Sequence, residues 1–188
     1  MSDDRKLVSE ISAGNKAAFK DFIEQYQKLV CHVVFRMVSN DTDREDLCQD
    51  VFIKVYQNIG NFRFESKVST WVAQIAYNSC VSFLRKNKTL LYDDLNPGIT
   101  TLDDLSGNNV LPDEYSEVQD LSRILVEEID KLPLIYGTIL SLYHLEQMSY
   151  NEICEIMQLP EGTVKSYLFR ARRLLKNKLL AKYQQEDI

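Results

Sequence analysis

Hydrophobic residues recur at intervals of three or four along much of the chain, which is the spacing of one face of an α-helix. Before residue 88 this spacing predicts three helices, with hydrophobic faces at residues 19–37, 47–59 and 71–84. Thr42 and Glu45 are spaced as a capping box at the start of the second helix. No strand-like alternation extends beyond a few residues, so the predicted fold class is all-α.

The helical pattern stops in the segment TLLYDDLNPGITTLDDLSGNNVLPDEYSE, residues 89–117. This segment contains Pro, Gly and Asn breaks, seven acidic residues and no basic residue. Long loops without secondary structure are uncommon inside one compact domain. The sequence therefore predicts two small helical domains, residues 1–88 and 118–188, joined by a flexible acidic linker at 89–117.

After the linker the helical pattern returns. It predicts helices at about residues 117–131 and 134–145, separated by Leu132 and Pro133. Ser149 and Glu152 are spaced as a capping box that opens a short helix.

A tight turn containing Pro160 and Gly162 follows the short helix and precedes a basic helix. The buried face of the basic helix is predicted to contain Val164, Leu168, Ala171, Leu175 and Leu179. A short helix, a tight turn and a basic amphipathic helix together predict a helix-turn-helix.

Positive charge is concentrated in this last helix. The whole chain has a net charge of −6, yet residues 160–182 hold seven basic residues and one acidic residue, which leaves −12 for the remainder. The second helix of a helix-turn-helix lies in the major groove, where first-turn residues meet base edges and later cations meet phosphates. The candidate base-reading residues are Thr163, Lys165, Ser166 and Arg170, on a face that also contains Phe169, Arg172 and Arg173. A solvated charged face is the alternative interpretation.

Aromatic, polar and basic residues also cluster in the N-terminal half. GNFRFES, residues 60–66, places Phe62 and Phe64 beside Arg63, and the next helix carries polar side chains along one side. Rings can stack on unpaired bases while amides and hydroxyls read base edges. On these residues alone, however, the favoured interpretation is that the phenylalanines pack neighbouring helices together.

The helix REDLCQDVFIKVYQ exposes acidic and amide side chains around one outward apolar residue. Such a patch suits docking against a basic partner, although a solvated surface is the ordinary role of such charges. The residues of this patch are Asp46, Gln49, Asp50 and Ile53.

The sequence offers little for catalysis. It has no glycine-rich phosphate loop and no nucleophile elbow, and His32 and His144 lack a metal-ligand spacing, so no enzyme activity, cofactor, metal or small-molecule substrate is predicted. The four cysteines are far apart at apolar positions, which predicts buried thiols. The first residues carry both charge signs, and no apolar run approaches a membrane span, so we expect a cytoplasmic protein without membrane insertion.

Two segments, in this order and joined by such a linker, resemble the sigma-70 family of bacterial transcription initiation factors, in its extracytoplasmic-function (ECF) group. REDLCQDVFIKVYQNIGNFRFESKVSTWVAQIAYNSC is similar to the second conserved region of the family, and MSYNEICEIMQLPEGTVKSYLFRARRLL is similar to the fourth. The resemblance covers nearly the whole chain. It implies a factor that binds core RNA polymerase, directs it to promoter DNA and helps to melt that DNA.

The resemblance also implies residue roles. It places Asp46, Gln49, Asp50 and Ile53 in the helix that docks on the clamp coiled coil of the β′ subunit. The positions where the family captures a flipped base of the minus-10 element are Phe64, Ser66, Lys67 and Asn78, which reverses the packing interpretation of the aromatic loop. The minus-35 helix contains Lys165, Ser166, Phe169, Arg170 and Arg172, and the second domain is expected to touch the β flap.

Two positions depart from the family pattern and leave the promoter preference open. Ser82 stands where many members have Asp, and Tyr167 stands where Arg is frequent. The resemblance further implies an anti-sigma partner and a linker that threads a basic polymerase channel. Two other classes remain as alternatives: a self-sufficient helix-turn-helix regulator, and a protein-interaction module whose basic helix meets an acidic partner.

Overall fold

The computed structural model describes residues 2–87 and 117–186, with side chains described at 4–87 and 124–181. No strand occurs in these ranges, which confirms the predicted all-α class. The predicted linker lies outside the described residues, apart from Glu117. The described helices are α1 (Ser2–Ser12), α2 (Lys16–Met37), α3 (Asp41–Asn58), α4 (Val68–Lys86), α5 (Glu117–Asp130), α6 (Leu134–Leu140), α7 (Tyr150–Met157) and α8 (Glu161–Glu186).

Helices α2, α3 and α4 form the N-terminal group around one hydrophobic core, and α1 packs against α2. The residues that the helical spacing placed inward form this core, because a buried aliphatic or aromatic side chain contributes about 1.5–3 kcal/mol relative to an exposed one. The fully buried side chains include Phe22, Val30, Val34, Val51, Val55 and Val72.

Helix α3 begins one residue before the predicted capping box. The Asn40 side chain accepts a hydrogen bond from the Asp43 backbone N–H at 3.1 Å, so Asn40 is the N-cap. The capping box predicted at Thr42 and Glu45 is therefore wrong, because Asn is a strong N-cap residue and Thr42 already lies in the first turn.

A buried arginine fixes the connection between α2 and α3. Arg44 is only 6% exposed and donates from Nε to the Val38 carbonyl at 2.6 Å and from Nη2 to the Phe35 carbonyl at 3.2 Å. Its Nη1 donates to Asp41 Oδ1 at 2.7 Å. Because the guanidinium satisfies carbonyls at the end of α2, it holds the chain in the bend that brings α3 onto α2.

The C-terminal group buries its own side chains, which continue the hydrophobic core of the N-terminal group. The helix predicted over residues 134–145 is divided: α6 ends at Leu140 and a π-helical turn, Ser141–Leu145, continues it. Helix α6 packs on α8, and α7 packs on both the π-helical turn and α8. The core contains Ile139, Leu140, Leu142, Ile153, Ile156 and Leu168.

The helix-turn-helix has the predicted elements with a different turn residue. The capping box of Ser149 and Glu152 is confirmed at the start of α7. Gln158 ends α7 in the left-handed conformation, at φ 55° and ψ 43°, whereas Gly162 lies in the first turn of α8. The prediction that Gly162 belongs to the turn is wrong, because Gln158 already reverses the chain.

The cysteines are less buried than predicted. Cys80 is buried, whereas Cys31, Cys48 and Cys154 are half-buried, and all four are free thiols. The prediction of buried thiols is therefore correct only for Cys80, and the other three remain partly exposed. Among the residues that the structure describes, no helix is long and apolar enough to span a membrane.

The two groups of helices pack against each other. Helix α4 lies against α7, and α2 lies against α6 and the π-helical turn. The short helix of the helix-turn-helix therefore contacts the helix that follows the aromatic loop.

Replacing Arg44 with Met should lower the free energy of unfolding by about 2–4 kcal/mol, because the buried Val38 carbonyl and the half-buried Phe35 carbonyl lose their donor. Urea denaturation followed by circular dichroism measures this change. Arg63→Met is the matched control, since Arg63 is exposed and should give a wild-type midpoint. An equal midpoint for both variants would show that Arg44 does not hold the bend.

Candidate nucleic-acid interface

The outer face of α8 presents the predicted polar and basic side chains. Lys165, Ser166, Arg170, Arg172 and Arg173 are exposed. Thr163 is half-buried. Phe169 is 66% exposed, which is unusual for a ring of this size. The opposite face is fixed in the core by Val164, Leu168 and Ala171, while Leu175 and Leu179 are half-buried.

Two of these cations contact their own domain. Lys165 Nζ lies 2.6 Å from Glu161 Oε1 and 5.8 Å from the centre of the Tyr150 ring. The hydrogen bond to Glu161 raises the pKa of Lys165. The Arg172 guanidinium lies 4.9 Å from the centre of the Tyr143 ring. These contacts hold Lys165 and Arg172 beside the outer face and limit their freedom.

The structure adds three ring side chains that the sequence reasoning did not assign. Tyr143 and Tyr150 stack at 5.3 Å, and the His144 ring meets Tyr143 edge-on at 4.9 Å. Arg172 Nε donates to His144 Nε2 at 3.4 Å, and burial together with the Arg172 charge lowers the pKa of His144. The signal in the sequence was the presence of rings on both sides of the segment LEQMS, residues 145–149.

Tyr167 lies in the core of the helix-turn-helix. It is 8% exposed, and its ring meets Tyr136 edge-on at 5.7 Å. Its side chain therefore points away from the outer face of α8. At this position, where the resemblance leads us to expect Arg, the chain has a packing residue.

The aromatic loop packs on the start of α4. The Phe62 ring lies 4.8 Å from Phe64 and 4.9 Å from Trp71, and the Arg5 guanidinium lies 5.0 Å from the centre of the Phe64 ring. Phe64 has φ 58°, a left-handed conformation that is uncommon for a bulky residue. Both phenylalanines are half-buried, so they join helices and also present part of each ring to solvent.

The polar side of α4 is divided between solvent and the helix-turn-helix. Asn78 is exposed and Ser66 is half-buried. Lys67 Nζ lies 2.9 Å from Glu152 Oε1, and Thr70 Oγ1 donates to the same oxygen at 3.2 Å. Gln74 Nε2 donates to the Glu155 carbonyl at 2.9 Å.

Glu152 is strongly held as a carboxylate. Burial by itself would raise its pKa, but hydrogen bonds from Ser149 and Lys67 outweigh burial and lower the pKa to about 2. The carboxylate is therefore charged at all physiological pH values, and its contact with Lys67 is an ion pair.

The acidic patch of α3 lies on the surface as predicted. Asp46, Gln49 and Asp50 are exposed, and Ile53 is 53% exposed. Tyr56, on the same helix, is also exposed and was not assigned from the sequence. In the described part of the chain, no group of His, Cys, Asp and Glu side chains could hold a metal ion.

Comparison with known proteins decides the family. The family model for Sigma-70 region 2 matches residues 22–89, and that for Sigma-70, region 4 matches residues 122–175. The chain is 32% identical over 179 residues to the ECF RNA polymerase sigma factor SigW of Bacillus subtilis, covering 93% of this chain and 96% of SigW. The chain belongs to the sigma-70 family, in its ECF group.

Two further comparisons agree with this assignment. The ECF RNA polymerase sigma-E factor of Haemophilus influenzae is 36% identical over 184 residues, covering 94% of this chain and 95% of that protein. The sigma factor RpoE of Bartonella quintana, solved with the anti-sigma factor NepR, has the same fold, with a TM-score of 0.64 at 20% identity over 86% of this chain and 96% of that chain. This chain is therefore a sigma factor that directs RNA polymerase to promoters.

Each of the two family regions contains a different set of the surfaces described above. The region 2 match contains the α3 patch, the aromatic loop and α4. The region 4 match contains the helix-turn-helix and the basic part of α8.

Replacing Tyr167 with Ala should lower the free energy of unfolding of this sigma factor by about 3 kcal/mol, because a buried ring leaves a cavity beside Tyr136. Thermal unfolding followed by circular dichroism measures the change. Phe169→Ala is the matched control, since it removes a ring from the next outward position and should leave the unfolding temperature unchanged. A stable Tyr167→Ala variant would show that the ring does not support the domain.

Proposed function

We propose that this sigma factor divides promoter recognition and polymerase binding among three surfaces. Residues 1–88 dock on core RNA polymerase and read the minus-10 element, residues 118–188 read the minus-35 element, and residues 89–117 connect them. The observation that carries the proposal is that the polar residues of each family region lie outward on helices whose apolar residues are buried.

Helix α8 reads the minus-35 element in the major groove. Its exposed first turns offer hydroxyl and basic groups to base edges, and cations further along reach phosphates. Support comes from the exposure of six proposed contact residues, namely Lys165, Ser166, Phe169, Arg170, Arg172 and Arg173. The seventh, Thr163, is half-buried. Tyr143 and His144 hold Arg172 beside this surface.

The aromatic loop and α4 bind the minus-10 element. Phe64 presents part of its ring for stacking on an unpaired base, while Ser66, Lys67 and Asn78 supply polar contacts. The left-handed backbone at Phe64 supports this role, because such conformations cluster where a binding site fixes a side chain.

The acidic patch of α3 docks on the clamp coiled coil of the β′ subunit. Asp46, Asp50 and Gln49 surround the exposed Ile53, which gives an apolar contact with a charged rim. The C-terminal domain touches the β flap, and the acidic linker threads a basic channel of the polymerase. The charge of residues 89–117, −7, motivates this path for the linker.

An anti-sigma factor regulates this protein in the cytoplasm. The fold relative from Bartonella quintana was solved with such a partner, and the present chain has the same two-part helical architecture. The protein acts by binding alone, without a cofactor, a small-molecule substrate or an enzymatic step.

Replacing Asp50 with Lys should weaken binding to core RNA polymerase at least tenfold, because a charge reversal at a charged interface costs more than a kcal/mol and tenfold corresponds to about 1.4 kcal/mol. Co-elution with the core enzyme on a sizing column measures the loss. Asp21→Lys, an equal charge change at an exposed position of α2, is the control and should co-elute normally. Normal co-elution of both variants would contradict the docking assignment.

Replacing Arg170 with Ala should cost about 1–3 kcal/mol of promoter affinity and relax the preference at one minus-35 position. Fluorescence anisotropy of labelled promoter duplexes, with the protein alone and with core polymerase, measures both effects. Lys28→Ala removes the same charge from an exposed site on α2 and serves as the control. Selective binding by the protein alone, unaffected by polymerase, would instead indicate a self-sufficient regulator.

A further inference from the structure

Two of the four cysteines meet between helices α2 and α3. Cys31 lies in the second half of α2, and Cys48 lies in the first half of α3. The Cys48 thiol donates a hydrogen bond to the Cys31 sulfur, so the two side chains are in contact across the helix interface. Both residues are half-buried, and both thiols are free. A small solute can therefore reach a pair of thiols that the fold already holds together.

The contact gives the two sulfur atoms different acid strengths. The hydrogen bond from Cys48, aided by the charge of the neighbouring His32, lowers the pKa of Cys31 to about 7, although burial acts against it. The same hydrogen bond raises the pKa of Cys48, and burial and the nearby sulfur of Cys80 act in the same direction. Near neutral pH, Cys31 is therefore present in large part as the thiolate, while Cys48 keeps its proton.

The other two cysteines lack this combination of a lowered pKa and a neighbouring thiol in contact. Cys80 is fully buried on α4, and burial raises its pKa to about 12. Cys154 lies on α7 in the C-terminal group, where burial and the charge of Glu161 raise its pKa. Because thiolates react with oxidants and thiols react poorly, Cys31 is the cysteine that the structure prepares for oxidation.

We propose that Cys31 and Cys48 form a reversible redox site, in which a hydroperoxide oxidises the pair to a disulfide bridge between α2 and α3. A disulfide needs sulfur atoms about 2 Å apart and Cβ atoms about 4 Å apart. Thiols that are already hydrogen-bonded reach this arrangement by rotation of their side chains, while the two helices stay packed.

The reaction has two steps. The Cys31 thiolate attacks one oxygen of the hydroperoxide, the O–O bond breaks, and Cys31 becomes a sulfenic acid while hydroxide or alkoxide leaves. The Cys48 sulfur then attacks the Cys31 sulfur, the S–O bond breaks, and the Cys48 proton leaves with the oxygen as water. The two thiols lose two electrons, which reduce the peroxide. A dithiol reductant reverses the bridge by thiol–disulfide exchange.

The bridge would close a loop that contains the end of α2, the bend at Arg44 and the start of α3. Closing a loop of this length restricts the unfolded chain more than the folded one. The oxidised protein should therefore unfold at a temperature about 5–10 °C higher than the reduced protein.

The test uses the reduced full-length chain, treated with hydrogen peroxide at low micromolar protein concentration. Unreacted thiols are blocked with N-ethylmaleimide, and intact mass and non-reducing peptide maps are measured. We expect a monomer that has lost two hydrogen atoms, has two blocked thiols in place of four, and contains the Cys31 peptide linked to the Cys48 peptide. Dithiothreitol should restore all four thiols. Cys154→Ser is the matched control and should form the same bridge, whereas Cys31→Ser should not.

Two substitutions of Cys48 test its role as the hydrogen-bond donor. Cys48→Ser keeps a donor beside Cys31, and Cys48→Ala removes it; neither variant can form the bridge. Cys31 should therefore stop at the sulfenic acid, which dimedone labels. Labelling of Cys31 at pH 7 should be about five- to tenfold faster in Cys48→Ser than in Cys48→Ala, because the donor maintains the thiolate. Equal labelling rates would overturn the role of Cys48 as donor.

The wild-type peptide map decides the site itself. A bridge from Cys48 to Cys80, a bridge between two molecules, or a Cys31 thiol that survives while Cys154 is oxidised each overturns the proposal. An oxidised form that unfolds at the same or a lower temperature than the reduced form overturns the fit of the bridge between the packed helices.

Discussion

The carboxylate of Glu152 is bound on both oxygens, and each oxygen serves a different part of the structure. Oε2 accepts from the Ser149 backbone N–H at 2.8 Å and from the Ser149 hydroxyl at 2.6 Å, which closes the first turn of α7. Oε1 receives Lys67 and Thr70 from α4. A carboxylate removed from water needs such partners on both oxygens. The start of the helix-turn-helix and its position against the N-terminal helices therefore depend on the same group.

Charge is unevenly distributed along the chain. The chain carries −6 overall, while residues 160–182 carry +6. An acidic remainder repels DNA, whereas the short basic helix attracts it locally. The ion pair between Lys67 and Glu152 joins a cation at the start of α4 to a carboxylate of the helix-turn-helix.

Arg44 and Arg36 both have guanidinium groups that are largely shielded from solvent. Arg44 satisfies two carbonyls of the bend between α2 and α3 and lies within its own group of helices. Arg36 reaches instead across to the carbonyls of Asp130 and Leu132. The first arrangement stabilises one group of helices, whereas the second joins the two groups. Among the described residues, the buried Nε of Arg36 has no hydrogen-bond partner, which makes this contact less favourable than a fully satisfied one.

The sequence by itself determined the helix-turn-helix, the helices other than α1, and the outward placement of most predicted interface residues. Phe64, Ser66 and Thr163 are half-buried. Burying apolar faces such as Val164, Leu168 and Ala171 fixes which side of each helix is left to solvent. Caps and turns were less predictable, because Asn40 and Gln158 compete locally with Thr42 and Gly162. Only the tertiary structure decided that Tyr167 is buried, that Tyr143 and His144 hold Arg172, and that Glu152 meets Lys67. These contacts join residues that are far apart in the chain. Helical periodicity predicts the direction in which a side chain points, but it does not identify the residue that the side chain contacts.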